Sequence, residues 1–240
     1  MVRRTREEAL ATREELLDAA ERVFRKRGVG HTSLAEVADA AGVTRGAIYW
    51  HFKDKADLFQ ALVERVEMPM NAAMEEMDRT SATDPLGAVR QLAIHALQNL
   101  AGSARIQAVF DVVFLRCEYT EELAPVRARQ LEDRKVCLRR CEAAFEQAVG
   151  RRQLPAGTDT RLAAQGLYAF VTGLMRSWVE TPGRFDLGAD APALIDTFLA
   201  GLKANPPRRA GAHKRTLPAK VAARAARRRP VNGPERRSRP

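Results

Sequence analysis

The feature that most constrains the fold is a short break, Gly42-Val43-Thr44, between two segments with helical spacing. The first segment opens with the capping box Ser33-Leu-Ala-Glu36, and the second begins at Thr44 and extends to about residue 50 or 51. Glycine suits the turn because it adopts the left-handed conformation without steric cost. Val37, Val43 and Ile48 would then form a shared core. The pattern predicts a helix-turn-helix.

Placing Ile48 toward that core fixes the direction of its neighbours on the second helix. Arg45, Gly46 and Tyr49 then point away from it, whereas Phe52 lies beside the core. An arginine and an aromatic ring on one exposed face suit DNA, because arginine donates to guanine or phosphate and tyrosine donates a hydroxyl. The same reasoning adds the helix caps and a lysine in the next helix: Thr32, Ser33, Thr44 and Lys55. For Trp50 and His51 the pattern leaves packing and DNA contact equally open.

Most of the remaining chain also has helical spacing. A capping box at Thr12-Arg-Glu-Glu15 suggests a first helix that ends before Gly28, and Asp54 caps a fourth helix that can run to the mid-seventies. Further helices are predicted near 85–101, 104–117, 121–150, 159–180 and 189–203. The sequence has no alternating strand pattern, so the predicted fold class is all-α.

The charge of the chain is concentrated in its last residues. Of the net +10, the segment after Asn205 carries +11, from twelve Lys/Arg and one acid, and the preceding residues sum to −1. Segment 206–240 is also poor in large apolar side chains, so we predict a disordered basic tail. The chain has no apolar run long enough for a membrane span and no signal core at its start. The three cysteines, Cys117, Cys137 and Cys141, lack metal-binding spacing. These observations together favour a cytoplasmic protein with reduced thiols.

The string GVGHTSLAEVADAAGVTRGAIYWHFKDKADLF closely resembles the DNA-binding domain of TetR-family transcriptional repressors, in particular the AcrR-like group that controls multidrug efflux pumps. The resemblance implies three N-terminal helices for DNA (1–60) and a larger helical domain for an inducer and for dimerisation (61–205). It does not extend to the tail, 206–240. By resemblance, the positions that commonly contact operator DNA are Thr44, Arg45, Gly46, Tyr49, Trp50, His51 and Lys55.

Two helical segments near the C-terminus, 159–180 and 190–204, are the predicted homodimer interface. Both place small residues such as Gly173 and Gly201 beside large apolar ones such as Phe170 and Phe198, which suits close helix pairing. The alternative is that these residues form an ordinary monomer core. Dimerisation is expected because one helix-turn-helix unit contacts too little DNA for strong specificity.

A site for a small hydrophobic inducer is predicted around the methionines that end the fourth helix. Methionine adapts to varied ligands, and nearby rings could complete an apolar wall. The proposed set is Met68, Met70, Met74, Phe110, Phe114, Tyr168 and Met175. Glu67 precedes Pro69, where a helix should kink, and its carboxylate would favour cationic aromatic ligands. The alternatives are core packing for the apolar residues and a solvated acid for Glu67.

No pattern in the sequence indicates catalysis, so we expect neither catalytic residues nor a metal or other cofactor. The cysteines could bind a metal or sense oxidants, but helical cysteines are more often small buried hydrophobes. The resulting hypothesis is a repressor that binds a palindromic DNA operator as a dimer and is released by a small hydrophobic inducer, with a multidrug efflux pump as the controlled target. The alternatives are a repressor or activator of metabolic genes and a non-specific architectural DNA-binding protein.

Overall fold

A computed structural model of the protein describes residues 6–208, apart from the side chains of residues 67–69. This part of the chain consists of helices joined by short turns. The helices are α1 (Arg6–Arg27), α2 (Leu34–Ala40), α3 (Arg45–His51), α4 (Lys55–Ser81), α5 (Pro85–Gly102), α6 (Ala104–Asp111), α7 (Ala124–Gly150), α8 (Thr160–Glu180) and α9 (Leu187–Ala204). A π-helical turn (Val112–Arg116) follows α6, and a 3-10 turn (Glu121–Leu123) precedes α7. The prediction of an all-α fold is confirmed.

The helices enclose two hydrophobic clusters. The N-terminal cluster joins α1, α2, α3 and the first half of α4, and its centre includes Phe24, Ile48 and Phe59. Phe24 and Phe59 meet edge to face with their ring centroids 6.0 Å apart. The C-terminal cluster joins the second half of α4 to α5, α7, α8 and α9 and includes Phe145 and Ile195. Since α4 belongs to both clusters, it links them as one continuous helix.

A buried ionic contact holds α1 against α4. The guanidinium of Arg65, whose side chain is only 9% exposed, contacts the carboxylates of Glu14 and Asp18, the latter at 2.7 Å. A cation that is largely removed from water requires such partners, because an unpaired buried charge is strongly destabilising. The contact fixes α1 on the segment of α4 that leads out of the N-terminal cluster.

Three boundary predictions are wrong in detail. Thr12 does not cap a helix: α1 already spans Arg6–Arg27, Thr12 is buried within it, and its hydroxyl donates to the carbonyl of Glu8. The fourth helix passes the mid-seventies and ends at Ser81, whose hydroxyl donates to the carbonyl of Met77 at 2.7 Å. The polar residues at the end of α4 remain helical because the apolar face of this helix still packs on the C-terminal cluster.

The predicted start of the tail also needs correction. Pro206 is buried, the amide of Asp159 donates to the carbonyl of Pro207 at 2.7 Å, and the Arg208 side chain donates to the carbonyl of Ala156 at 2.7 Å. These backbone contacts hold residues 206–208 on the loop between α7 and α8. The rest of the predicted disordered tail, 209–240, lies outside the described residues.

Candidate nucleic-acid interface

The turn between α2 and α3 has the geometry that the sequence predicts. Gly42 adopts φ of +69°, and the amide of Val43 donates to the carbonyl of Ala38 at 3.0 Å. The Thr44 hydroxyl accepts from the amide of Ala47 at 3.3 Å and so begins α3. Ile48 is fully buried. This turn sets the angle between the two helices and therefore the direction in which α3 presents its outer face.

The outer face of α3 carries two large aromatic rings in solvent. Trp50 is 74% exposed and Tyr49 is 56% exposed, and Arg45 and Gly46 are exposed on the same helix. Exposing so much apolar ring area is costly unless the rings have a binding partner. Phe52, by contrast, is buried, as expected. The Trp50 ring is therefore exposed and is not packed in the core. The half-buried His51 ring lies edge to face against it, with ring centroids 4.8 Å apart.

Ser33 and Thr32 precede α2 but differ in their surroundings. Ser33 forms the predicted capping box with Glu36, and the hydrogen bond from the Ser33 amide lowers the pKa of the Glu36 carboxyl. Ser33 remains exposed. Thr32 is 3% exposed, and its hydroxyl donates to the carbonyl of Gly28 at 2.8 Å. The burial of Thr32 removes its side chain from the candidate DNA contacts.

Lys55 lies at the start of α4, but its amine is occupied by an intramolecular contact. Its Nζ lies 3.0 Å from a carboxylate oxygen of Glu122 and donates to the carbonyl of Gly30 at 3.3 Å, and the side chain is 11% exposed. Glu122 belongs to the 3-10 turn before α7. The predicted phosphate anchor is therefore neutralised by an acid that lies 67 residues further along the chain.

We expect that Glu122→Gln raises the affinity for operator DNA by about 1.4- to fivefold. A half-exposed ion pair contributes roughly 0.2–1 kcal/mol, and this contribution no longer holds Lys55 away from a phosphate. The measurement is fluorescence anisotropy on a labelled operator. Glu121→Gln is the matched control, because it removes a neighbouring exposed negative charge. Equal gains in both variants would mean that net charge, rather than release of Lys55, causes the effect.

Five of the predicted inducer residues belong to the C-terminal cluster or pack against it. Met74 and Met175 are buried in the C-terminal cluster, and Met70, Phe110 and Phe114 pack against it. The rings of Phe110 and Phe114 have centroids 5.1 Å apart. Glu67 and Met68 lie outside the described side chains.

Tyr168 is half-buried, and the guanidinium of Arg134 lies 4.8 Å from its ring centroid. Burial raises the pKa of the Tyr168 hydroxyl. The ring is therefore already paired with a cation of the protein itself. A cationic ligand at this ring would first have to displace Arg134.

Two open clefts lie elsewhere. One, of about 320 Å³, lies between α4 and α7 beside Asp78 and Arg140, and the other, of about 390 Å³, lies between α7 and α8 beside Leu138 and Leu162. Neither cleft is lined by a predicted inducer residue. Within residues 6–208, no group of three acidic, histidine or cysteine side chains could hold a metal ion. In the same region, no helix has both the length and the hydropathy for a membrane span.

The helix face predicted to form the dimer is partly apolar and open. The rings of Phe170 on α8 and Phe198 on α9 stack with centroids 5.3 Å apart, and both are half-buried. A Cβ atom added to Gly173 or Gly201 would meet no heavy atom within 4 Å. The two glycines therefore leave open space on the surface of a single chain.

Sequence reasoning missed the contacts that join the N-terminal helices to the segment after α6. The amide of Val29 donates to the carbonyl of Arg116 at 3.0 Å, and the guanidinium of Arg25 lies 3.4 Å from the Asp111 carboxylate. A backbone carbonyl carries no signal in the sequence. The π-helical turn also has no signal in the sequence, although such turns often occur at functional sites.

Two family profiles match the chain. Residues 16–62 match the profile of bacterial regulatory proteins of the tetR family, which covers the helix-turn-helix. Residues 84–204 match the C-terminal region of MAATS-type transcriptional repressors. Together the two profiles include every candidate DNA-contacting residue and both helices of the predicted dimer interface.

Individual relatives match over nearly their whole length. The chain is 39% identical to the transcriptional regulator TtgR of Pseudomonas putida over 86% of this chain and 98% of TtgR. It is 40% identical to AcrR of Shigella flexneri over 83% of this chain and 93% of AcrR. The crystal structure of NalD, the secondary repressor of the MexAB-OprM multidrug efflux pump in Pseudomonas aeruginosa, superposes with a TM-score of 0.75 at 35% identity, over 82% of this chain and 98% of NalD.

A complex of SmeT with triclosan is also similar, with a TM-score of 0.68 at 35% identity over 80% of this chain and 91% of SmeT. The two profiles therefore begin within α1 and reach the end of α9. With its exposed α3 face, its two clusters joined by α4 and these matches, the chain belongs to the TetR family of transcriptional regulators.

Proposed function

We propose that the protein is a repressor that binds a palindromic operator as a homodimer, is released by a small hydrophobic inducer, and controls the genes of a multidrug efflux pump. The observation that carries the proposal is the outer face of α3, where Arg45, Tyr49 and Trp50 are exposed opposite the buried Ile48. TtgR, AcrR and NalD support the choice of regulation, and NalD, as a repressor of a multidrug efflux pump, supports the efflux target.

The proposed contacts on DNA fall into two groups. Arg45 and Tyr49 would reach base edges in the major groove, because they lie on the solvent face of α3 near its start. Ser33 and Thr44 would contact phosphates, which position the protein without reading sequence. Lys55 would join them only when its amine is released from Glu122. Gly46 allows close approach of the backbone. Trp50 and His51 would pack along the sugar-phosphate edge of the groove.

The proposed dimer pairs α8 and α9 with the same helices of a second copy. The Phe170–Phe198 stack offers apolar area, and the open positions at Gly173 and Gly201 allow the helices to approach closely. A two-fold axis brings this face of one copy against the same face of the other copy, which is the usual arrangement of soluble homodimers. Two α3 helices would then read two half-sites about one helical turn of DNA apart.

The proposed inducer site consists of Met70, Met74, Phe110, Phe114 and Met175, together with Glu67, Met68 and Tyr168. The rings of Phe110 and Phe114 already pack on each other, so a ligand between them would have to separate them. Triclosan bound to SmeT makes a neutral chlorinated aromatic compound a reasonable first probe. Glu67 would extend the range of inducers to cationic aromatic compounds.

The segment formed by α6 and the π-helical turn is the proposed link between inducer and DNA. Val109 and Val112 are buried in the N-terminal cluster, whereas Phe110 and Phe114 pack against the C-terminal cluster. The same segment provides the carbonyl of Arg116 to the amide of Val29. A ligand that displaces the two rings would therefore also move residues that support α1 and the helices behind α3.

DNase I footprinting of the region upstream of the chain's own gene tests this function. We expect a short protected site with two-fold symmetry, and we expect protection to disappear when a hydrophobic compound such as triclosan is added. Uniform coating of the fragment without a boundary would support the architectural alternative. A symmetric site that no hydrophobic compound releases would contradict the proposed inducer.

A further inference from the structure

A pair of thiols on α7 has no part in the function proposed above. Cys137 and Cys141 are four residues apart and therefore lie on one face of the helix. Cys141 is 7% exposed within the C-terminal cluster, and Cys137 is half-buried against the same cluster. The Cys141 thiol donates a hydrogen bond to the Cys137 sulfur, which lowers the pKa of Cys137 and raises that of Cys141.

The pair lies where α7 meets α4 and α8. The guanidinium of Arg140 is 3.5 Å from the carboxylate of Asp78 at the end of α4, and it also favours the thiolate of Cys137. Tyr168 of α8 is close enough for the charge of Cys137 to act on its hydroxyl. The thiols are therefore close to one helix that leads to DNA and to another in the proposed dimer interface.

Helix geometry decides which chemistry the pair can perform. Side chains four residues apart on a helix have Cβ atoms roughly 5–6 Å apart. A disulfide needs Cβ atoms about 3.5–4.5 Å apart, so it would require local unwinding of α7. One atom bonded to both sulfurs at about 2.3 Å needs the sulfurs to lie roughly 3.8 Å apart. Two thiols in contact reach this separation without unwinding of α7. The spacing thus favours a bridging ligand over a disulfide.

We infer that Cys137 and Cys141 form a binding site for a soft, thiol-seeking ligand with two exchangeable valences, of the trivalent aryl-arsenical class, and that its binding weakens operator affinity. The first part of this inference stands on the thiol pair alone. The second part rests on the proposed repressor function. The Cys117 thiol is separate, since it packs with Tyr119 against the N-terminal cluster.

The reaction with phenylarsine oxide is balanced without an oxidant. Each thiol loses its proton and forms one arsenic–sulfur bond, and the arsenic–oxygen bond breaks. The two protons leave with the oxygen as water, and arsenic stays trivalent throughout. The product adds an arsenic atom and a phenyl ring beside a close-packed cluster, where extra volume forces neighbouring helices to shift.

Mass spectrometry of the full-length protein with one equivalent of phenylarsine oxide tests the site. We expect a single adduct, loss of two of the three titratable thiols, and reversal by a dithiol but not by an equal concentration of a monothiol. Cys137→Ser and Cys141→Ala should each abolish the bridged adduct. Cys117→Ser is the matched control and should keep it, because Cys117 packs against the N-terminal cluster, apart from the pair, and is not one of the two sulfurs that hold the arsenic.

The same variants test the effect on DNA. Operator affinity should fall at least tenfold on arsenical binding in the unmodified chain and in Cys117→Ser, but not in Cys137→Ser. An equally stable adduct in either single variant of the pair would overturn the site. An adduct at Cys137 and Cys141 with unchanged operator affinity would overturn the regulatory part. If the chain binds no operator at all, the proposed function fails while the mass measurement still decides the site.

Discussion

Replacing Arg45 or Tyr49 with alanine is expected to weaken operator binding by about 1–3 kcal/mol each, a loss of roughly five- to 150-fold. Both side chains are exposed on α3 and make no contribution to the N-terminal cluster that buries Ile48. The free energy of unfolding should therefore change little. Anisotropy titrations on a labelled operator and on an unrelated duplex give the specific and non-specific affinities separately.

The pattern of loss distinguishes base contact from general attraction. Loss at the operator alone would assign the residue to base readout, and equal loss on both duplexes would assign it to phosphate contact. Arg152→Ala is the control for removing one positive charge, because Arg152 is exposed on the loop between α7 and α8, away from α3 and outside the proposed dimer helices. If Arg45→Ala and Tyr49→Ala both bind the operator as tightly as the unmodified chain, α3 is not the reading helix.

Replacing Gly173 or Gly201 with tryptophan should convert the protein into monomers with at least tenfold weaker operator binding. A side chain at either position meets open space within one chain, so the protomer should fold normally. In the proposed dimer the same side chain would collide with the partner helices. Sedimentation velocity gives the oligomeric state, and circular dichroism checks the helix content.

Gly102→Trp provides the matched control. A Cβ atom at Gly102 also meets no heavy atom within 4 Å, but this residue ends α5 outside the proposed interface. It should leave the dimer and its operator affinity unchanged. Intact dimers in both the Gly173 and Gly201 variants would move the interface away from α8 and α9.

The sequence was most informative where local chemistry fixes the backbone. The capping box at Ser33, the caps at Thr44 and Asp54 and the turn at Gly42 each depend on residues within four positions, and all are present in the structure. Such signals are short-range, so they predicted the helix-turn-helix and its exposed face. The capping box read at Thr12 failed because the sequence pattern cannot exclude a helix that already began upstream.

Contacts between distant parts of the chain were not predictable in this way. Nothing near Lys55 indicates that its amine pairs with Glu122, and nothing near Thr32 indicates that its hydroxyl is buried against Gly28. These contacts depend on how the 3-10 turn and α1 pack in three dimensions. Five of the predicted inducer residues belong to the C-terminal cluster or pack against it, because apolar spacing reports burial. Whether they bind a ligand depends on how the cluster opens, which spacing does not encode.

The central claim is that inducer and operator compete through one conformational equilibrium, and thermodynamic linkage tests it most directly. The affinity of a fluorescent or calorimetrically active hydrophobic inducer is measured for the free protein and for the protein saturated with operator. The account predicts that operator weakens inducer binding by the same factor by which inducer weakens operator binding, about five- to 150-fold. Equal inducer affinity in the two states would contradict the account, because a ligand without differential affinity cannot release the repressor.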